Sequence, residues 1–109
     1  MILAYRGVMP VIDPTVFVAG GSEIIGNVTI GRDSSVWFNT VIRGDINVIT
    51  IGERTNIQDG CILHVAREEY GLAIGSDVTV GHGAILHACT VGDECLIGMG
   101  SIVLDGAVV

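Results

Sequence analysis

Ile57-Gln58-Asp59-Gly60-Cys61-Ile62-Leu63-His64 is echoed later in the chain by Val80-Gly81-His82-Gly83-Ala84-Ile85-Leu86-His87. Both segments end Ile-Leu-His, and in both an aliphatic residue recurs after six positions. The same spacing extends outward through Ile24, Ile30, Val36 and Ile42, then Ile51, Ile74, Val91, Ile97 and Val103. A small residue usually follows each aliphatic by four. Six residues are too few for a helix with its connections but suit a short strand plus a corner. Three such units close one triangular coil, and stacked coils bury a continuous apolar column that no single coil could bury alone. The expected fold is therefore an all-β parallel β-helix of hexapeptide repeats with three short strands per coil. It forms one domain over 1–109, with a lead-in over 1–17 and coils over 18–109.

If the three faces are named A, B and C and face A starts at Ile24, it also holds Ile42, Leu63, Leu86 and Val103. The residue after each aliphatic then separates the faces chemically. Face B carries Gly31, Gly52, Gly75 and Gly92; face C carries Trp37, Gln58, Gly81 and Gly98; face A carries Ile25, Arg43, His64, His87 and Leu104. The second and third coils are longer than the period allows, so short loops interrupt them. The longer is expected at 66–73.

Composition narrows the function classes. Half of the 109 residues are hydrophobic, and so small a domain gains only a marginal core by itself. Burial between subunits is therefore expected. Five arginines, no lysine and twelve acidic residues give a net charge of -7, which disfavours nucleic acid and anionic membrane surfaces. No apolar run approaches the roughly 20 residues that span a bilayer, and 1–13 lacks the pattern of a secretory leader. The reading is a soluble cytoplasmic protein. Cys61, Cys89 and Cys95 form no C-x-x-C pair and read as small buried thiols rather than a disulfide framework.

The chain has three histidines. His64 and His87 hold the same place on successive coils, so their backbones are expected one strand spacing apart, about 4.8 Å, with both imidazoles able to reach one metal. His82 lies on face C near a corner and points away from that pair within one subunit. Three β-helices packed around a threefold axis would bring face A of one against the C corner of the next, completing a three-histidine site. Three imidazoles with an open fourth position are the ligand set of a hydrolytic zinc. A lone histidine would read as a surface or packing residue; three within so short a stretch, two of them in vertical register, read as ligands.

Taken together, Val41-Ile42-Arg43-Gly44-Asp45, Thr55-Asn56-Ile57-Gln58-Asp59-Gly60, Val78-Thr79-Val80-Gly81-His82 and Gly98-Met99-Gly100-Ser101 resemble the gamma-class carbonic anhydrase family over nearly the whole chain. The resemblance implies a left-handed helix, a hand that spacing does not reveal and that departs from the usual right-handed crossover. It also implies a homotrimer with interfacial metals bound by His64, His87 and His82, and reversible hydration of carbon dioxide to bicarbonate by a metal hydroxide. The metal is expected to be zinc, with iron or cobalt possible on the same ligands. By the same resemblance Arg43 and Asp45 form an interfacial charged pair and Gln58 hydrogen-bonds the hydroxide or bicarbonate. Asp59, one coil below His82, is either its hydrogen-bond acceptor or a simple turn residue.

Two departures stand out. Active members of the resembled family carry a glutamate directly after Arg-Gly-Asp, where this chain has Ile46; Glu68 and Glu69 are the remaining candidates for proton export, or merely solubilising charges. The chain also stops at Val109 within a repeat, short of the further coils and C-terminal helix that the resemblance leads one to expect. Two alternatives follow: a catalytically weak or inactive metal-binding trimeric scaffold, and a hexapeptide-class acyltransferase using one histidine as general base on an acyl-CoA thioester.

Overall fold

The computed structural model describes residues 1–109 and contains strands, turns and no helix. The first coil comprises β1 (Ile2–Leu3), β2 (Val11–Ile12) and β3 (Phe17–Val18); the second β4 (Glu23–Ile30) and β5 (Ser35–Val36). The third comprises β6 (Val41–Ile51) and β7 (Asn56–Ile57); the fourth β8 (Ile62–His64), β9 (Leu72–Ile74) and β10 (Thr79–Val80). The fifth comprises β11 (Ile85–His87), β12 (Thr90–Val91) and β13 (Leu96–Ile97), after which β14 (Ile102–Val103) opens another turn. Every ladder between strands is parallel. The fold is the parallel β-helix that the hexapeptide repeat led us to expect, with the left hand that the resemblance implied.

The predicted register holds residue by residue. Ile24 pairs with Ile42, Ile42 with Leu63, and Leu86 with both Leu63 and Val103 on face A. Ile30, Ile51, Ile74 and Val91 stack on face B, and Val36, Ile57, Val80 and Ile97 on face C. Their side chains meet inside the triangle in one apolar column, with Ile24, Val36, Ile42, Ile57, Leu63, Val80 and Leu86 fully buried. The small residues four places later turn inward at the corners, where a larger side chain would not fit. Ser34 Oγ donates to Gly52 O at 2.8 Å, Thr40 Oγ1 to Gln58 O at 2.8 Å and Thr55 Oγ1 to Gly75 O at 2.8 Å, each reaching into the next coil. No buried side-chain polar atom lacks a partner, as a core of this kind requires.

The face B glycines have a steric cause. A Cβ on Gly31 would lie 2.8 Å from the carbonyl carbon of Gly52, and one on Gly52 would lie 2.6 Å from that of Gly75. Each side chain would point along the stack into the next coil's backbone. At the corner between faces B and C the turn residue is instead Asp33, Arg54, Asp77 or Glu94, all at φ between 51° and 59°. Left-handed backbone is uncommon outside glycine, and none of these four residues is β-branched.

The solenoid departs from the sequence reading at its start and at its loops. The lead-in over 1–17 already contributes strands, since Ile2 pairs with Ile24 and Val11 with Thr29; its aliphatics were masked by Pro10 and Pro14 between them. The longer loop covers 66–71 rather than 66–73, because Leu72 and Ala73 pair with Ile49 and Thr50 in β9. The shorter insertion lies within β6, where Gly26 pairs with Gly44 but Val28 with Ile49. Both interruptions fall at the corner between faces A and B, and they touch: Asn47 Nδ2 donates to Ala66 O at 3.2 Å and to Glu68 O at 3.3 Å. The three cysteines are free, with Cys61 and Cys89 buried and their thiols pushed up by that burial.

Candidate metal centre

His64 and His87 end β8 and β11 and are direct partners in the parallel ladder. Alternation along a strand turns Leu63 and Leu86 into the core, so the residue after each must face outward. The two rings therefore leave the same face one above the other, with centroids 5.1 Å apart and planes at 65°. His64 Nδ1 lies 3.2 Å from His87 Nε2.

The other nitrogen of each ring meets an aspartate. The insertion in β6 carries Asp45 up to the next coil, where its Oδ1 lies 2.9 Å from His64 Nε2. Asp45 Oδ2 accepts from Arg43 Nη1 at 2.6 Å and Oδ1 from the Ile46 N–H at 2.8 Å. Burial of this carboxyl pushes its pKa up, but the hydrogen bonds from His64, Ile46 and Arg43 outweigh burial and hold it down at about 2. Asp45 is thus an anion at neutral pH. From the coil above, Asp105 Oδ1 lies 2.5 Å from His87 Nδ1.

These contacts set the chemistry of the site. A carboxylate only accepts hydrogen bonds, so the nitrogen facing it carries the proton of a neutral imidazole and the other keeps a lone pair. His64 then presents Nδ1 and His87 presents Nε2 as acceptors, and these are the two atoms that face each other. Two lone pairs at 3.2 Å repel unless a proton or a metal cation lies between them. Nitrogens bound at ~2.0 to 2.1 Å to one tetrahedral metal stand about 3.3 Å apart, so the observed separation fits a shared ion.

His82 does not join them. It sits on the C corner beside Gly83 (φ 68°), where its Nδ1 lies 3.1 Å from Asp59 Oδ1 one coil below. His82 and Asp59 border a cleft of about 490 Å³ with Ser35, Trp37, Asn56 and Gln58. No three histidine, cysteine or acidic side chains of a single chain converge on a common point. The predicted residues therefore fall into two groups: Arg43, Asp45, His64 and His87 on face A, and Gln58 with His82 on face C.

Asp105 went unremarked in the sequence. Its signal was an acid two places after Val103, in the coil above a histidine, and reading it required knowing that the next corner turns back over face A. Glu69, one of the candidates for proton export, instead lines a groove on face B with Thr50, Tyr70 and Thr90. Ile46, in the place of the expected glutamate, packs against the core.

No family model matches the chain. It is 49% identical over 105 residues to gamma carbonic anhydrase 1, mitochondrial, of Arabidopsis thaliana, covering 92% of this chain and 38% of that protein. To the carbonic anhydrase of Geobacillus kaustophilus it is 50% identical over 107 residues, covering 98% of this chain and 58% of that protein. The chain thus spans between about two fifths and three fifths of these relatives' lengths. Among solved structures, a Bacillus cereus protein named as a candidate acetyltransferase is 36% identical, with a TM-score of 0.79 over 96% of this chain and 74% of that one. The solenoid is common to all such proteins, whereas identity near 50% over almost the whole chain is found with proteins named carbonic anhydrases: the chain is a member of the gamma carbonic anhydrase family of hexapeptide-repeat β-helices.

Proposed function

We propose that the protein hydrates carbon dioxide reversibly to bicarbonate at a metal shared between subunits of a homotrimer, held by His64 and His87 of one subunit and His82 of the next. The observation that carries this reading is the pair of facing acceptor nitrogens 3.2 Å apart, with the third histidine displayed on a different face. Each chain displays both halves of a site and completes neither. A cyclic assembly joins every A half to a neighbour's C half. Outward-facing apolar residues favour such packing: Val41, Ile62, Ile85 and Ile102 form one column along the start of face A, with Ile62 45% exposed. Beside the C corner, Phe38 is 49% exposed and stacks towards Trp37. Contiguous apolar surface of this kind marks interaction sites.

His64, His87 and a neighbour's His82 would hold a zinc, iron or cobalt ion, which would supply an acidified water as nucleophile at neutral pH. The chain's own residues position the reactants. Asp45, anionic and pinned by Arg43, orients His64. Gln58 lies on the same cleft as His82, so its carboxamide reaches the joined site from the neighbour's side and donates a hydrogen bond to an oxygen of the substrate or bicarbonate. Of the expected carboxylates for proton export, Ile46 replaces one and packs inward and Glu69 faces another groove, which leaves Glu68. That observation favours a second reading, a metal-bearing trimer of weak activity acting as a scaffold.

Elemental analysis combined with stopped-flow carbon dioxide hydration on the wild type and His82→Ala separates these. About one metal per chain, turnover, and loss of both in His82→Ala support the proposal. Metal without turnover leaves the scaffold. Metal-free trimers that acetylate amines from acetyl-CoA would replace it with the acyltransferase reading.

A further inference from the structure

We infer that Asp105 is a positioning residue for His87: it holds the imidazole in the tautomer protonated at Nδ1 and so aims the Nε2 lone pair at the cation site. This rests on the metal reading for its purpose but not for its geometry. His87 is the one half of the face A pair whose orientation Asp45 does not touch, since Asp45 bonds His64. Without a partner on Nδ1 a neutral histidine is free to carry its proton on either nitrogen, and a proton on Nε2 would close that nitrogen to a metal. Asp105 Oδ1 at 2.5 Å from Nδ1 removes the choice.

The fold grips Asp105 from both sides, so the contact is built rather than incidental. On its N-terminal side, β14 is registered on β11 through Ile102 to Ile85 and Val103 to Leu86. On its C-terminal side the Gly106 N–H donates to Ala88 O at 2.8 Å, and Gly106 adopts φ 77° to make the corner. Between these anchors the Asp105 side chain is directed down onto the coil that carries His87. Asp59 only approaches His82 from the coil below, Oδ1 to Nδ1 at 3.1 Å, without a hydrogen bond of the kind that Asp105 makes. Both histidines of the face A pair thus have a carboxylate hydrogen-bonded behind them, and supports of this type are worth about 10- to 100-fold in metal affinity.

The test compares the wild type with Asp105→Ala, Asp105→Asn and Asp105→Glu. In metal-free protein at mildly alkaline pH, where imidazoles are neutral, ¹⁵N chemical shifts report the tautomer of His87. The wild type is expected in the Nδ1–H form, Asp105→Ala shifted towards Nε2–H, and Asp105→Asn still Nδ1–H because an amide oxygen also accepts. Cobalt titration followed by visible absorption should show affinity falling about 10- to 100-fold in Asp105→Ala, less in Asp105→Asn, and recovering in Asp105→Glu. Circular dichroism and thermal melts identify any variant that has lost the fold, and the Asn and Glu variants decide the matter if the Ala variant has. An unchanged His87 tautomer in folded Asp105→Ala, or cobalt affinity equal across the series, would overturn the inference. A wild type that binds no cobalt would sink the metal reading instead, while the tautomer comparison would still decide the role of Asp105.

Discussion

At the scale of single residues, the site depends on which ring nitrogen each histidine leaves free. Asp45 settles this for His64, and its own charge is secured by Arg43 and the Ile46 N–H. The alternation of β-structure made the His64 and His87 pair legible in the sequence, because two residues in the same place on successive coils must leave the same face. Asp59 was legible as an acid one coil below His82. Asp105 was not, since its reach to His87 depends on the path of a corner rather than on strand register. Gln58 belongs at this scale too. Replacing it with alanine should leave metal content unchanged and lower kcat/KM by about 10-fold or more, the value of one hydrogen bond to a charged group, measurable by stopped-flow hydration. Unchanged turnover would remove Gln58 from the site.

Strands and corners obey a different constraint, the close approach of successive coils. Gly52→Ala should cost about 1 to 3 kcal/mol, because its Cβ would meet the Gly75 backbone, whereas Gly20→Ala meets nothing within 4 Å and should be nearly neutral. Urea denaturation of the two variants makes the comparison. The glycine column was visible in the sequence as a pattern, and its steric cause emerged only with the stack. Loop placement was less legible: coil lengths showed that residues had been inserted, but an insertion interrupts a hexapeptide equally well at any corner. That both insertions share one corner explains how Asp45 comes to stand over His64. Between faces B and C, Arg54 Nε donates to Asp77 Oδ1 at 2.8 Å, and this hydrogen bond holds the Asp77 carboxyl below its ordinary value. A depressed carboxyl contributes stability above its unfolded pKa, about 3.9, and loses it as the pH falls through the lower folded value. Wild type and Asp77→Asn should therefore differ slightly in urea midpoint at neutral pH and converge in acid, with the difference reduced by salt.

For the molecule as a whole, the sequence carried the separation of His64 and His87 from His82 onto two faces, and its cause. A straight triangular column displays each face in a different direction, so histidines on faces A and C cannot meet within one chain however the side chains turn. In the proposed function, assembly is therefore part of the chemistry rather than an addition to it. The central claim is a site made by two subunits, and mixing two inactive variants tests it directly. His64→Ala lacks the A half but keeps a sound C half; His82→Ala is the reverse. Co-refolded together, they should form mixed trimers in which one interface of three unites an intact His64 and His87 with an intact His82. Metal binding and carbon dioxide hydration should then return to as much as about one third of a full trimer's sites, although neither variant recovers any by itself. No recovery in mixtures shown by mass spectrometry to contain hybrid trimers would contradict the shared site.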